Sequence, residues 1–356
     1  MRNPARRFKI GNHWVGEGEA CFIIAEAGSN HNGSFEQAIA MIDVAAEAGA
    51  DAVKFQSFQA KKLYPYTHKK VAYLKKLGIN KSIFDIIRQM EMPKDWIPRL
   101  AAYCNRKGII FMSSPFDEEM VDALTPFVPV FKVASYELTH LPLIKYIAKK
   151  GKPLILSTGA ATLDEIKAVV KEVLKTGNTK ISLTQCTAKY PAPLESINLR
   201  VLDTLRTETG CLVGLSDHSR SPIYAPLAAV AVGAAFVEKH FTISNRLPGP
   251  DHSFALEPDE LKGMVLGIRA VESAMGDSHK ILQGVEKELV NYRRAIFTDK
   301  NINKGQTIYK RDVSILRKPG LSVKGISPEE IECVIGSRAV RDLKKGKCLE
   351  KGDLMR

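Results

Sequence analysis

Residues 21–57 read CFIIAEAGSNHNGSFEQAIAMIDVAAEAGADAVKFQS, a strand, a helix and a second strand in immediate succession. CFIIAEAG, from Cys21, and DAVKFQ, from Asp51, are largely apolar runs of strand length. Between them lies a helical stretch over residues 34–48, with Ser34 as a candidate N-cap after HNGS and Gly49 as the stop. Because such runs are apolar on both faces rather than on one, they read as parallel strands covered by helices.

The same unit recurs. IIFMSSP from Ile109, VFKVAS from Val130, PLILSTG from Pro153, ISLTQCT from Ile181, LVGLSDH from Leu212 and FVEKHFT from Phe236 complete a set of eight. Eight strand-helix units predict an α/β fold, a closed (β/α)8 TIM barrel. Strands two and three are separated by an insertion of about 50 residues, unusually long for a connection. It holds YPYTHKK and helical segments around residues 83–90 and 95–106, the second including Trp96, and its first part is a candidate lid or oligomer contact. After Ala274 the rhythm stops: GDSHKILQGVEKELVNYRRA reads as a polar connector. Turn pairs at Lys304-Gly305, Pro319-Gly320 and Lys345-Gly346 then mark a small β-rich domain. The expected organisation is a barrel over residues 1–274, a linker over 275–295 and a second domain over 296–356.

Composition sets the class. With 356 residues, 45% hydrophobic and 26% charged, the chain can bury a core that needs no disulfide staples, which excludes a small module and a disordered chain. Its six cysteines form no C-x-x-C pair, the pattern of a reducing compartment without a zinc ribbon. The basic start MRNPARRFKI is followed by no apolar leader core, and no run approaches the roughly 20 apolar residues of a membrane span. A cytoplasmic protein with no membrane partner is expected. Lys and Arg outnumber Asp and Glu by 52 to 39, a net +13, which admits nucleic acid, an acidic surface or a small anionic substrate. The basic residues are spread along the chain, with knots only near residues 61–76 and 344–351, and no nucleic-acid motif accompanies them, so nucleic acid is not an expected partner.

In a parallel barrel the working groups stand at the carboxyl ends of the strands. Polar residues interrupt nearly every run there: Glu26; Lys54 and Gln56; Ser113 and Ser114; Lys132 and Ser135; Ser157 and Thr158; Thr187 and Tyr190; Ser216 and His218; Glu238 and His240. Lys54 and Lys132 lie within apolar runs where an unpaired ammonium is costly, which favours an anion site for a phosphate and a carboxylate over a solvated surface charge. His218 and His240 end neighbouring strands. They read either as ligands of one divalent cation or as a hydrogen-bonded pair; with two nitrogens only, octahedral Mn2+ or Mg2+ suits better than closed tetrahedral zinc. Glu26, Glu238 and Asp251 could bind sugar hydroxyls or serve as acid and base, the alternative being ion pairs with lysines such as Lys239, although adjacent strand residues point to opposite faces. Glu137 is compatible with the site and equally with a helix N-terminus.

Taken in order, IIAEAGSNHNGS, AGADAVKFQSF, FMSSPFD, FKVASYEL, GKPLILSTG, GLSDHS, EKHFT and GPDHSFALEPDEL resemble the sialic acid synthase family, the phosphoenolpyruvate-dependent synthases of nonulosonic acids. The resemblance covers almost the whole chain, including a tail that looks like the family's antifreeze-like (SAF) domain. It implies a metal-dependent transferase with a barrel site completed by the SAF domain of the other subunit in a domain-swapped homodimer. It also implies that phosphoenolpyruvate is held by Lys54, Ser114, Lys132, Ser135, Ser157 and Ser216, and a divalent cation, Mn2+ or Mg2+, by His218 and His240. Glu26, Gln56, Tyr190, Glu238 and Asp251 match positions that handle the N-acylated amino sugar and its aldehyde, Glu26 and Glu238 being the catalytic pair. The implied reaction joins C3 of phosphoenolpyruvate to C1 of an open-chain N-acetylmannosamine-type aldehyde, with Glu26 or a water delivering a proton to the alkoxide, and yields a nine-carbon keto acid and phosphate.

Two departures bear on the acceptor. Where the sialic acid subgroup has asparagine, CTAKYP has Ala188; where an arginine contacts the sugar's acyl group, Arg317-Lys318-Pro319-Gly320 places Lys318, and Arg and Lys are not interchangeable at a directed hydrogen bond. KVASYEL resembles the serine-aromatic-glutamate version of pseudaminic acid and spore-coat synthases. N-acetylmannosamine, its 6-phosphate and the 2,4-diacetamido-trideoxy hexoses of the pseudaminic and legionaminic routes are all compatible acceptors. Octulosonate- and heptulosonate-phosphate synthases lack a SAF tail. A non-catalytic saccharide-binding protein predicts loss of the barrel-mouth lysines or histidines, and all four are present.

Overall fold

The computed structural model describes residues 3–66, 82–319 and 324–355. The last residues of YPYTHKK and Gly320 of the Pro319-Gly320 turn lie outside the described residues. The chain divides into two compact units, Met1–Gly276 and Asp277–Arg356.

The first unit opens with an antiparallel hairpin, β1 (Arg7–Ile10) and β2 (His13–Gly16). Eight parallel strands follow: β3 (Phe22–Gly28), β4 (Ala52–Ser57), β5 (Ile110–Pro115), β6 (Phe131–Val133), β7 (Leu154–Ser157), β8 (Ile181–Cys186), β9 (Leu212–Asp217) and β10 (Phe236–His240). Their order is β5-β4-β3-β10-β9-β8-β7-β6, and β5 and β6 lie side by side, so the sheet curls back on itself as a near-barrel. All eight coincide with the eight runs read from the sequence. The first crossover helix is Phe35–Glu47, and Ser34 is its N-cap, its hydroxyl accepting from Gln37 N. The long insertion contributes helices Ile83–Gln89 and Trp96–Lys107.

Strand alternation sorts the side chains into two cores. Ile23, Ala25, Val53, Phe111, Phe131, Leu154, Leu183, Val213 and Val237 point outward into the layer shared with the helices. Phe22, Ile24, Ala52, Met112, Val130, Ile155, Leu212 and Phe236 point inward and pack with Phe8, Ile10 and Val15 of the hairpin, which plugs the amino-terminal end. Each buried Val, Leu, Ile, Phe or Met side chain among them contributes roughly 1.5–3 kcal/mol. Two residues further along the same inward faces stand Glu26, Lys54, Ser114, Lys132, Ser157 and Glu238. The apolar plug therefore forms the floor under a polar layer.

The second unit is built on β11 (Arg294–Thr298) with β12 (Val313–Arg317) and β13 (Arg338–Ala339) with β14 (Leu354–Met355), both pairs antiparallel. Its core holds Ile296, Ile302, Ile308, Val334, Leu343 and Leu349. KGQTIYKRDV (residues 304–313) and KGKCLEKGDL (residues 345–354) are two copies of one pattern, and the structure relates them by a pseudo-twofold. Ile308 N donates to Ser337 O (2.9 Å) while Leu349 N donates to Ile296 O (2.8 Å). Buried Asp312 pairs with Lys300 and buried Asp353 with Arg341, each at 2.6 Å.

Candidate active site

The carboxyl ends of the strands bring one connected polar cluster together. Lys54 Nζ lies 2.8 Å from Glu26 Oε2, 3.2 Å from Ser114 Oγ and 3.6 Å from Glu238 Oε1. Lys132 Nζ lies 3.0 Å from Ser157 Oγ and 3.6 Å from the same Glu238 Oε1, to which Ser216 Oγ donates at 3.1 Å. Strand register makes this convergence: Glu26 stands beside Lys54, Gln56 beside Ser114, Ser216 beside Glu238 and Glu26 beside His240. Ser135 sits in the short turn Ser135–Glu137 after β6 and accepts from Gly159 N (3.2 Å) after β7.

A second group lies at Gly28, where β3 is irregular. Gln56 Nε2 donates to Glu26 Oε1 at 3.0 Å. A Cβ placed on Gly28, whose φ is +54°, would stand 3.5 Å from both Asp251 Oδ2 and Glu26 Oε1 and 3.6 Å from Gln56 Nε2. Three polar tips thus converge on a position that only a missing side chain leaves open.

Burial and charge set the acidities. Desolvation pushes Glu26 up to about 7 against the pull of Lys54, and pushes Asp251 up to about 6. Burial acts on Glu238 in the same direction, but Lys132 and Lys54 together hold its carboxyl below the usual range. Two carboxylates in one pocket are thereby driven apart, one able to carry a proton near neutrality and one ionised. Burial lowers Lys132, while on Lys54 the two glutamates outweigh it and raise the ammonium.

His218 and His240 meet edge to face, ring centres 5.4 Å apart, and do not hydrogen-bond to each other. His218 Nδ1 donates to Thr187 O at 2.9 Å, which leaves Nε2 as the unprotonated nitrogen, with the Cys186 thiol 3.8 Å from it. His240 Nδ1 is buried and has no hydrogen-bond partner among the described residues. Burial lowers His218 to about 4 and His240 well below the ordinary imidazole value, so both rings are neutral. Two neutral imidazoles with nitrogen lone pairs to offer fit a cation that completes its shell with water or substrate oxygens. Among the described residues no group of three or more His, Cys, Asp or Glu is placed to hold a metal, so the donor set does not suit a closed four-ligand site. Tyr190 stacks on His218 at 4.0 Å and meets His240 edge-on, and 46% of it is exposed.

The lysine and carboxylate expectations meet in one arrangement, because the buried lysines are themselves paired with Glu26 and Glu238. Lys239 takes no part: it points outward and pairs with Asp217. Ser113 and Thr158 also fall outside the site; Ser113 Oγ bonds Ser57 Oγ on the helix side, and Thr158 donates to Thr184 O. Glu137 lies in the turn after β6, its carboxyl raised by burial. Lys318 belongs to the second unit, its backbone N–H donating to Arg293 O. Phe254, which packs on His240 and Tyr190 at 5.5 and 5.1 Å, carried no signal in the sequence, being one apolar residue in an irregular loop. A concavity of about 980 Å3 lined by Glu17, Arg206, Val232 and Met275 opens at the other, amino-terminal end of the strands and contains none of these groups.

The profile of the NeuB family matches residues 41–280, and that of the SAF domain matches residues 293–355. The chain is 45% identical to the spore coat polysaccharide biosynthesis protein SpsE of Bacillus subtilis, over 94% of each chain. It is 38% identical to the N,N'-diacetyllegionaminic acid synthase of Campylobacter jejuni, over 92% of this chain and 98% of that one. Among solved structures, N-acetylneuraminic acid synthetase from Leptospira borgpetersenii, in complex with citrate, superposes with a TM-score of 0.71 at 32% identity, covering 82% of this chain and 98% of that one.

Proposed function

We propose, from the premise that this chain belongs to the NeuB family of nonulosonic acid synthases and carries a SAF domain, that it condenses phosphoenolpyruvate with the aldehyde of an N-acetylmannosamine-type amino sugar. The products are a nine-carbon keto acid and phosphate. The observation that carries this reading is the pair of buried ammonium groups, Lys54 and Lys132, sharing one carboxylate oxygen of Glu238 at 3.6 Å each. With Glu26 protonated, the cluster holds one positive charge in excess. A buried excess charge calls for an anion, and phosphoenolpyruvate brings a phosphate and a carboxylate to the two lysines, with Ser114, Ser135, Ser157 and Ser216 as hydroxyl donors around them.

A divalent cation, Mn2+ or Mg2+, held by His218 and His240 would supply Lewis-acid polarisation of the aldehyde. Asp251, Gln56 and Glu26, gathered around Gly28, take the hydroxyls of the open-chain sugar, and Tyr190 offers an aromatic face. As C3 of phosphoenolpyruvate bonds to C1 of the aldehyde, the carbonyl oxygen gains an electron pair and takes the proton of Glu26. Glu238, kept ionised by its two lysines, faces the positive charge that develops at C2. Water adds at C2 and loses a proton, the C2–O bond of the phosphate ester then breaks, and phosphate leaves as the new C2 hydroxyl gives up its remaining proton to become the keto group.

A second reading replaces the acceptor with a 2,4-diacetamido-trideoxy hexose. It is favoured by the 38% identity to a diacetyllegionaminic acid synthase and by Ala188 and Lys318, which depart from the sialic acid pattern at two substrate positions. The test mixes protein, Mn2+, phosphoenolpyruvate and each candidate amino sugar, following phosphate release and the mass of the keto acid. Release with a single hexose names the acceptor. Bound metal without release for any of them would replace the synthase reading with saccharide binding.

A further inference from the structure

On the outer faces of β9 and β10, back to back with the two histidines, lies a buried charge cluster that the reaction does not use. Alternation sends Ser216, His218, Glu238 and His240 inward and Asp217 and Lys239 outward, and the register sets Lys239 directly beside Asp217. Lys239 Nζ is 2.6 Å from Asp217 Oδ2 and 3.3 Å from Ser219 Oγ, and it also donates to Ser219 O. Its three N–H groups have three acceptors. Asp217 in turn accepts from Ser219 N at 2.8 Å and from Ser219 Oγ at 3.0 Å. Both charged side chains are essentially without solvent contact.

Such a pair is weak support for stability, because desolvating two charges offsets most of their attraction and an apolar pair of the same volume does as well or better. What an apolar pair lacks is direction. Here the ammonium ties the residue before His218 to the residue after it and fastens both to the strand that ends in His240. The ring of His218 is held from its other side by Thr187 O at 2.9 Å, and His240 O accepts from Leu256 N at 2.9 Å.

We propose that Asp217 and Lys239 are positioning residues that hold His218 and His240 at the spacing a shared divalent cation requires. The inference rests on the reading of the two histidines as metal ligands. Outer partners of metal sites typically govern 10–100-fold in metal affinity.

The experiment titrates Mn2+ into the apo full chain, counting free ion by electron paramagnetic resonance, for wild type, His240→Ala, Lys239→Met and the double variant Asp217→Asn/Lys239→Met. Lys239→Met strands a buried carboxylate and can fail to fold. The double variant removes both charges at nearly constant volume and keeps the question answerable. The expected result is a folded double variant, with phosphoenolpyruvate affinity within about twofold of wild type, whose Mn2+ affinity is at least tenfold weaker. A double variant that binds Mn2+ as wild type does, while His240→Ala loses it, overturns the positioning role alone. Undiminished binding by His240→Ala overturns the ligand assignment beneath it.

Discussion

At Glu26 burial and charge pull in opposite directions, and burial wins: the carboxyl rises to about 7 although Lys54 lies 2.8 Å away. A group with a raised folded-state value keeps a proton that the unfolded chain loses. Its contribution to stability is complete below the ordinary carboxylate range and is lost as pH climbs through about 7. Glu26→Gln should therefore flatten the fall in stability between about pH 4.5 and 7, measured as urea midpoints across that range, and should lower kcat by about 10²–10⁴ if Glu26 is the acid. An unchanged pH slope would remove the proton from this carboxyl. Lys132→Met tests the anion site; losing one charge-assisted contact costs about 2 kcal/mol, roughly 30-fold in phosphoenolpyruvate affinity by calorimetry. The positions of both residues were legible in the sequence, as polar interruptions in apolar runs. Their pairing was not, since the partners come from neighbouring strands and the adjacent Lys239 turned out to serve Asp217.

Among the elements, β9 and β10 carry the most demanding geometry. Gly214 lies on the inward face of β9, where a Cβ would stand 2.6 Å from both Phe236 Cβ and the Phe236 carbonyl of β10. The Phe236 ring fills the floor of the barrel because Gly214 vacates the room. Gly214→Ala should destabilise the first unit by about 3 kcal/mol through overpacking against backbone that cannot yield, read by thermal or urea unfolding; a loss within error would mean that the two strands can separate locally. The strands themselves, and the N-cap at Ser34, were readable from local pattern because both are set by short-range chemistry. The roles of Ser113 and Thr158 were not: one residue of register along a strand moves a hydroxyl from the mouth to the helix layer.

For the whole molecule, each unit has its own core, and Lys318 belongs to a different unit from Glu26. If, as the family resemblance implies, the SAF domain serves the barrel of a second copy, two inactive chains should repair each other. Mixing Glu26→Gln with Lys318→Ala under conditions of subunit exchange should restore turnover that neither shows alone, because one mixed site then has both residues intact. No recovery, with exchange verified by mass, would place Lys318 in the site of its own chain, and full turnover by Lys318→Ala alone would place it outside the site. The pseudo-twofold of the second unit was present in the sequence as two K-G-x-x-x-x-K-x-D strings, but only the exchanged hydrogen bonds between the halves show that they form one core.

The sequence by itself determined the eight-strand rhythm, the second domain, and which strand ends carry charge, because strand length, apolar continuity and turn chemistry are local properties. Tertiary structure alone decided which of those charges meet. Curling the sheet into a near-barrel sets side chains from strands far apart in sequence within hydrogen-bonding distance, and the same closure removes water. Removing water raises Glu26, while the two lysines that the closure brings to Glu238 hold its carboxyl down.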